Sequence, residues 1–396
     1  MASFVPVVSG DGTASSRGIS LRGVRNLRDK VKELVEKGHI FGTFEGTDWV
    51  ATDFTELTTT EFVYGWVKRF DVTGTERLAD CAKLIDPADI GVPSYFISHA
   101  WKGSFAKLLD TIEAFLKNAP VLTFVWIDFI AVNQHSDTRP DANKADVESF
   151  AATVQACTAG TIVVVDLERC NPATRGWCIF EWNQTTIEHG HDGLHLVGMS
   201  LEDRARVVDQ VDVEQAECFD PNDLAMILEK VQNEHGSASN FNAAVKLTLT
   251  LQPLSYRVDL EQLDRRSVGT VWNLDPVNDW LAGPERALCV VADAGTGKST
   301  VSAALVREFL GRPVAGTPGA WVGPISAVHF LKHSDQRRLD PVAIVKSIVF
   351  QIARRVPRLQ EALFGARRVP RQVMSLRSVD EACALLLPLV VAACAG

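Results

Sequence analysis

Apolar residues first recur at helical spacing from Leu21 to Lys37, where Val24, Leu27, Val31, Leu34 and Val35 form one stripe and Gly38 ends it. Thr58-Thr59-Thr60-Glu61 has the Ser/Thr-to-Glu spacing of a helix cap and leads into Phe62 to Phe70. Arg77 to Ile85 is a third predicted helix. From Pro93 the rhythm changes, and short apolar runs alternate with helical periods. The predicted order is strand Tyr95–Ser98, helix Phe105–Lys117, strand Leu122–Asp128, helix Asp146–Cys157, strand Thr161–Asp166, helix Arg175–Glu188 and strand His195–Met199. Alternation at this spacing predicts a parallel sheet with helices on both faces, whose ligands lie beyond the carboxyl ends of the strands. The chain then becomes helical and charged. Pro221-Asn222-Asp223 opens a helix carrying Leu224, Ile227, Leu228 and Val231, Asn240–Leu251 is another, and Asp275-Pro276 precedes a short one ending near Leu281. A second strand-helix rhythm starts at Ala287.

Length and composition narrow the classes. At 396 residues, 46% hydrophobic and 22% charged, the chain is globular and long enough for two or three domains. A formal net charge of −9 gives no electrostatic footprint for nucleic acid, and no apolar run has the length of a bilayer span. The nearest, Ala382 to Gly396, is short and interrupted by Pro388. The eight cysteines are scattered without C-x-x-C pairs, which points to reduced thiols. Residues 1–20 read as a disordered tail without the layout of a secretory signal. The expected setting is cytoplasmic.

Ala287 to Ala292 reads as a buried strand, followed by DAGTGKST and a helix Val301–Leu310. Strand, glycine-rich turn, Lys-Ser and helix make a P-loop context. Gly295 and Gly297 let successive N–H groups converge on phosphate oxygens, and the helix that follows aims its positive end at the same anion. The nucleotide-binding candidates are Ala292, Asp293, Ala294, Gly295, Thr296, Gly297, Lys298, Ser299 and Thr300. Lys298 reaches toward the β- and γ-phosphates of ATP or GTP, and Ser299 is the Mg²⁺ ligand. Ala292 stands where the pattern has its first glycine.

With VWNLDPVNDWL (Val271 to Leu281) and Ala327 to Leu359, this region resembles the NACHT-type and nephrocystin-like branch of the STAND P-loop NTPases from roughly Arg265 onward. The resemblance implies an ATP-dependent switch between a closed monomer and an oligomer. The family's acidic Walker B strand is absent before Gly396. The expectation is therefore an incomplete NTPase domain, the front of a longer protein, with weakened nucleotide binding and poor hydrolysis. The terminal apolar run is expected to be a helix and strand leading toward Walker B.

Three segments of the first α/β unit, YFISHAWKGSF (Tyr95 to Phe105), TFVWIDFIAVNQH (Thr123 to His135) and TIVVVDLERCNPATRGWCIFEW (Thr161 to Trp182), resemble a TIR domain in order and spacing. The resemblance spans about Ser94 to Gly198, and Arg175-Gly176 replaces the serine that often precedes the tryptophan. It implies cleavage of the nicotinamide–ribose bond of NAD⁺, with Glu181 as the catalytic carboxylate. Such a group suits an oxocarbenium-like transition state, whose positive charge it stabilises. Ser98, His99, Trp101, Lys102, Asp128 and Trp177 are the candidates for shaping the NAD⁺ site. Trp177 and Glu181, four apart, share a helix face. The structural alternatives are Trp177 as core and Glu181 as a solvated residue or a partner of Arg175 or Lys102. His189, His191, His195 and Asp192 have the spacing of a turn rather than a metal site, and the arginines from Arg354 to Arg371 read as a solvated face.

The expected fold class is α/β: a TIR-like, flavodoxin-like parallel sheet, a helical connector and a partial P-loop NTPase domain. The expected divisions are 1–20 tail, 21–92 helical region, 93–200 TIR-like domain, 201–282 connector and 283–396 NTPase. The expected function is a STAND-type signalling protein of the innate-immunity kind. In it, nucleotide binding drives homo-oligomerisation through both modules and activates the NAD⁺ hydrolase. The alternatives are a non-enzymatic TIR-like scaffold or an inactive fragment. No nucleic-acid or membrane partner is expected, and the sensed ligand has no signature.

Overall fold

Four short runs of β-branched and aromatic residues pair in parallel at the centre of the first unit. In the computed structural model, which describes residues 13–44, 46–70, 77–135, 150–268, 270–313 and 321–395, the chain divides into two compact units, 1–250 and 251–396. The strands of the first unit are β1 (Gly18–Ser20), β2 (Phe41–Phe44), β3 (Thr47–Val50), β4 (Ile90–Gly91), β5 (Tyr95–Ser98), β6 (Phe124–Trp126), β7 (Thr161–Val163) and β8 (Leu194–Leu196). Strands β2 and β3 form a separate hairpin, and the rest make one mainly parallel sheet in the order β4-β1-β6-β5-β7-β8. The parallel strands β5 to β8, taken in chain order, lie in space as 2-1-3-4, the arrangement of flavodoxin-like sheets. Their switch point falls between β5 and β7, where Ser98 pairs with Val163.

Both faces of this sheet are covered. Phe96 stacks on Trp126 at 4.7 Å. On the other side Ile97, Val125 and Ile162 join a core with Leu27 and Val31 of α1 (Leu21–Glu36) and Leu109 and Ile112 of α2 (Phe105–Leu116). The apolar stripe read in Leu21–Lys37 is this buried face, with Val24, Leu27, Val31, Leu34 and Val35 all inside. The cap at Thr58 forms as a reciprocal Thr58–Glu61 box.

Three expectations change in this unit. Residues 18–20, read as the end of a tail, form β1, antiparallel between β4 and β6, and 90–91 of the helical region form β4. A three-residue strand is too short to show a period, so tertiary pairing alone creates it. The helix expected over Arg77–Ile85 is a single turn, Leu78–Asp80. Asp80 is drawn to Arg17 at 2.7 Å, and Leu78, Ala79, Cys81 and Ile85 are all buried, without the one-sided stripe of a surface helix. The strand expected at His195–Met199 begins and ends earlier, at Leu194–Leu196. Of the helix expected from Asp146, the part before residue 150 lies outside the described residues, and Phe150–Ala156 is helical.

The second unit is mainly helical. The helix Val379–Cys394 packs on Pro341–Ala353 and Pro357–Phe364, burying Val349, Phe350, Leu359, Leu363, Ala382 and Leu386. The terminal apolar run is thus one helix, not a helix and a strand, with Pro388 inside it. Proline removes the hydrogen bond to the carbonyl four residues back. Both Pro388 and Ala384 are exposed, on the side of the helix that faces solvent. The expected strand Ala287–Ala292 does not pair: Leu288, Val290 and Val291 are 42%, 59% and 86% exposed. Among the described residues this unit's one sheet is the antiparallel pair β9 (Arg312–Pro313) and β10 (Trp321–Val322). A buried parallel strand requires neighbours, and 287–292 has none among the described residues.

Asp89, 1% exposed, ties the extra strands to α1. It accepts from Ser20 Oγ at 2.6 Å and Arg22 Nε at 2.8 Å. Asp89→Ala orphans the buried Ser20 hydroxyl. It is expected to lower stability by about 1–3 kcal/mol in urea unfolding, whereas Glu261→Ala, at an exposed pair with Arg257, is expected to cost less than about 1 kcal/mol.

Candidate active site and phosphate loop

The loop leaving β5 and the helix following β7 meet at the switch point. α3 (Gly176–His189) begins at Arg175 in extended backbone, which fixes the rotation that brings Glu181 and Trp182 over the end of β5. Trp182, 1% exposed, donates its indole N–H to Ser98 Oγ at 2.9 Å. The Ser98 hydroxyl faces the Glu181 carboxyl and favours its charged form. Glu181 as a whole is half-buried, yet its Oε2 is sealed from water and has no hydrogen-bond partner. Loss of hydration is the main cause that pushes this carboxyl up to about 8. Ser98 opposes the rise and the negative charge of Asp128 adds to it.

Asp128 opens the short helix Asp128–Ala131 instead of ending a strand, and its Oδ1 accepts from the Phe129 N–H at 2.7 Å. Its Oδ2 accepts from Trp101 Nε1 at 2.6 Å. His99, also buried, points Nε2 toward Asp128 Oδ1 at 3.9 Å, too far for a hydrogen bond, and that nitrogen has no other partner. Burial holds this imidazole below its ordinary pKa, with Asp128 opposing. The cluster therefore unites Ser98, His99, Trp101, Asp128 and Glu181 at the carboxyl edge of the sheet.

Two candidates do not join it through contacts. Trp177 packs on Phe150 and Phe180 and donates to Asp223 Oδ2 at 2.9 Å, anchoring α4 (Pro221–His235). Lys102 is exposed and bonds Glu217 Oε2 at 3.0 Å, and Arg175 meets the same oxygen at 2.9 Å. The alternative pairing of Glu181 with Arg175 or Lys102 is therefore not formed. Trp182 and Glu217 are absent from the sequence-based candidates. Trp182 carried a signal, being adjacent to Glu181, while Glu217 carried none. The histidines of the 189–195 turn each bond a neighbour: His189 to the Val154 carbonyl, His195 to the Ala159 carbonyl and His191 to the Thr248 hydroxyl.

In the second unit the loop 292–297 is exposed apart from half-buried Gly297. Gly295 and Gly297 have φ of 81° and 92°, the left-handed region that favours glycine. A side chain at 297 would also approach the Trp272 ring, at 3.4 Å. Lys298 starts α5 (Lys298–Phe309) and donates to the Ala292 and Asp293 carbonyls, both at 2.5 Å. Thr296 Oγ1 donates to the Asp293 carbonyl at 2.8 Å. Ala294 and Ser299 are exposed and Thr300 is half-buried. Left-handed glycines, a helix start with no acidic residue in its first turn and an ammonium group spanning the loop are a donor set that fits a phosphate, with the Ser299 hydroxyl free to meet Mg²⁺.

Compared with known proteins, residues 269–389 match the family model for the N-terminal region of nephrocystin 3. That match covers under half of the chain and bears only on the second unit. No curated protein and no solved structure matches.

The raised Glu181 carboxyl has a consequence for stability. Between its ordinary value of 4.5 and about 8 the folded protein holds a proton that the unfolded chain releases. Stability from this group therefore falls as pH rises through that window, by at most about 1.4 kcal/mol per pH unit, and levels above it. Glu181→Gln is expected to gain stability over wild type on going from pH 5 to pH 8 in urea unfolding. Parallel curves would mean a solvated carboxyl.

Proposed function

We propose that the first unit is a TIR-like NAD⁺ hydrolase and that the loop Ala292–Thr300 binds ATP or GTP with Mg²⁺ in a NACHT-like module. Together they make an intracellular STAND-type signalling protein whose nucleotide-driven self-association activates the hydrolase. The observation that carries the hydrolase reading is the Glu181 carboxyl, withdrawn from water at the switch point beside Ser98 and Asp128. Ligands of open α/β sheets bind at this position. The nucleotide reading rests on the geometry of Gly295, Gly297 and Lys298, and the nephrocystin-type match to residues 269–389 supports it.

In this reading the glycosidic C–N bond of NAD⁺ breaks with its electron pair leaving on the nicotinamide nitrogen. Ionised Glu181 stabilises the positive charge developing on the ribose. Water adds to the ribose carbon and loses a proton, giving ADP-ribose. Ser98, held by the Trp182 indole N–H, favours the ionised form of the carboxyl, and Trp101, fixed by Asp128, offers an aromatic wall at the same edge. A carboxyl titrating near 8 is mainly neutral at pH 7, so the rate is expected to rise with pH toward that value. A second reading, a non-enzymatic TIR-like scaffold, draws on the same burial, since a group sealed from water is sealed from substrate.

Nicotinamide release by concentrated full-length protein, with and without ATP and Mg²⁺, separates the two. The hydrolase reading expects release that ATP increases and that Glu181→Gln lowers by about 100-fold or more. No release under any condition, or equal release by the variant, leaves the scaffold. Lys298→Ala is expected to weaken ATP binding at least about tenfold, roughly 1.4 kcal/mol, by calorimetry; unchanged affinity would remove the phosphate loop.

A further inference from the structure

Lys102 and Arg175 come from the two chain segments that flank the switch point. Lys102 follows β5 by four residues, and Arg175 is the cap residue of α3, which follows β7. Their cationic groups converge on a single oxygen, Glu217 Oε2, at 3.0 and 2.9 Å. One carboxylate facing two cations leaves a net positive charge at the carboxyl edge of the sheet. No acidic residue in the first turn of α3 offsets it, and the positive end of the helix dipole adds to it.

Glu217 is held there by its backbone rather than its side chain. It donates its N–H to the Thr174 carbonyl at 2.8 Å and accepts the Gly176 N–H at 3.1 Å on its own carbonyl, a one-residue parallel bridge to Arg175. The side chain is 60% exposed, and that of Arg175 only 18%. The Lys102 pair, exposed at both ends, is worth little, so an incoming anion displaces the carboxylate from the ammonium at small cost and then meets the more covered guanidinium. Arg175 and Glu181 are six positions apart on or beside one helix, about 9 Å along its axis. Cys178 between them senses both charges.

We propose that Lys102 and Arg175 are the subsite for the pyrophosphate of a dinucleotide whose ribose reaches Glu181, and that Glu217 occupies this subsite as a carboxylate stand-in until the substrate displaces it. This assignment rests on the NAD⁺ reading for its substrate class. The guanidinium supplies the forked donor that suits phosphate and the ammonium a second point charge. Glu217 lies past the last strand of the sheet, so the same segment that closes the α3 start also competes for the substrate's anion.

The test is calorimetric binding of ADP-ribose, and separately of inorganic pyrophosphate. It uses full-length protein carrying Lys298→Ala, so that the phosphate loop contributes no site, at 50 and 200 mM salt. Glu217→Gln is expected to tighten ADP-ribose binding about five- to tenfold, and adding Lys102→Gln to reverse the gain. The steeper salt dependence is expected in the Glu217→Gln protein. Unchanged affinity in Glu217→Gln, or no loss on adding Lys102→Gln, overturns the proposal. Pyrophosphate binding without ADP-ribose binding overturns the dinucleotide assignment. Arg175→Lys, which keeps the charge and loses the fork, is expected to weaken ADP-ribose more than pyrophosphate, and thermal unfolding checks its fold. If these affinities respond as expected while no protein releases nicotinamide, the subsite stands and the hydrolase reading falls.

Discussion

Keeping a carboxyl group out of water without giving it a cation is the constraint on which the first unit turns. An ionised carboxylate in such surroundings is expensive, so the group takes up a proton instead. Several features maintain that state at Glu181. Trp182 is buried and locked to Ser98 by its indole N–H. Arg175 and Lys102, the cations near the α3 start, are taken by Glu217. Asp128, which is ionic company of the wrong sign, is itself bound to Trp101 and to the Phe129 N–H. Desolvation without pairing is how a carboxyl is tuned to titrate near neutral pH.

Much of the sheet could be read from the chain because its parallel strands are self-announcing. Tyr95–Ser98 and Thr161–Asp166 are short apolar runs bounded by polar turns; the first forms where the pattern placed it, and the second forms over Thr161–Val163, ending three residues early. β1 and β4 were illegible for a physical reason. Three and two residues cannot display alternation, and what makes them strands is the company of Phe124, against which Gly18 and Gly91 leave just enough room. The site was legible in part. Ser98, His99, Trp101 and Asp128 converge because each lies within a few residues of a strand end, and Glu181 joins them from the body of α3. Trp177, four residues from Glu181, turns its ring to Phe150 and its N–H to Asp223, the packing role that the sequence also offered for it. Glu217 could not be found, since its role comes from a one-residue bridge across 42 positions of sequence.

The glycine-rich loop 292–297 shows the opposite balance. Its backbone conformation was legible, because left-handed φ at Gly295 and Gly297 is a demand that few residues other than glycine meet. The strand before it was not, although 287–292 has the composition of one. Strand propensity describes how a residue suits a pleated, half-buried surface and does not create that surface. Leu288, Val290 and Val291 remain exposed while the loop a few residues on keeps its shape. The loop is held by its own bonds, from Lys298 and Thr296 to the carbonyls of Ala292 and Asp293, and so depends less on a sheet than the motif's usual context implies.

The placement of charge in the first unit follows from both halves of this argument. Had Arg175 or Lys102 turned to Glu181, the carboxyl would ionise well below neutral pH, since an opposite charge nearby favours the charged form. A pair sealed in that way would be costly to break, because parting it leaves one buried charge alone. Glu217 prevents this by offering the cations a solvated partner, which lowers its own carboxyl from the ordinary value chiefly through its bond to Lys102. The Lys102 ammonium stays exposed and the Arg175 guanidinium mostly covered, both on Glu217, and the neutral carboxyl stays behind them. A positive site and a carboxyl that ionises only near pH 8 are thus held apart within one short stretch of helix, the separation that the proposed dinucleotide, with its anionic bridge and cationic reacting end, would span.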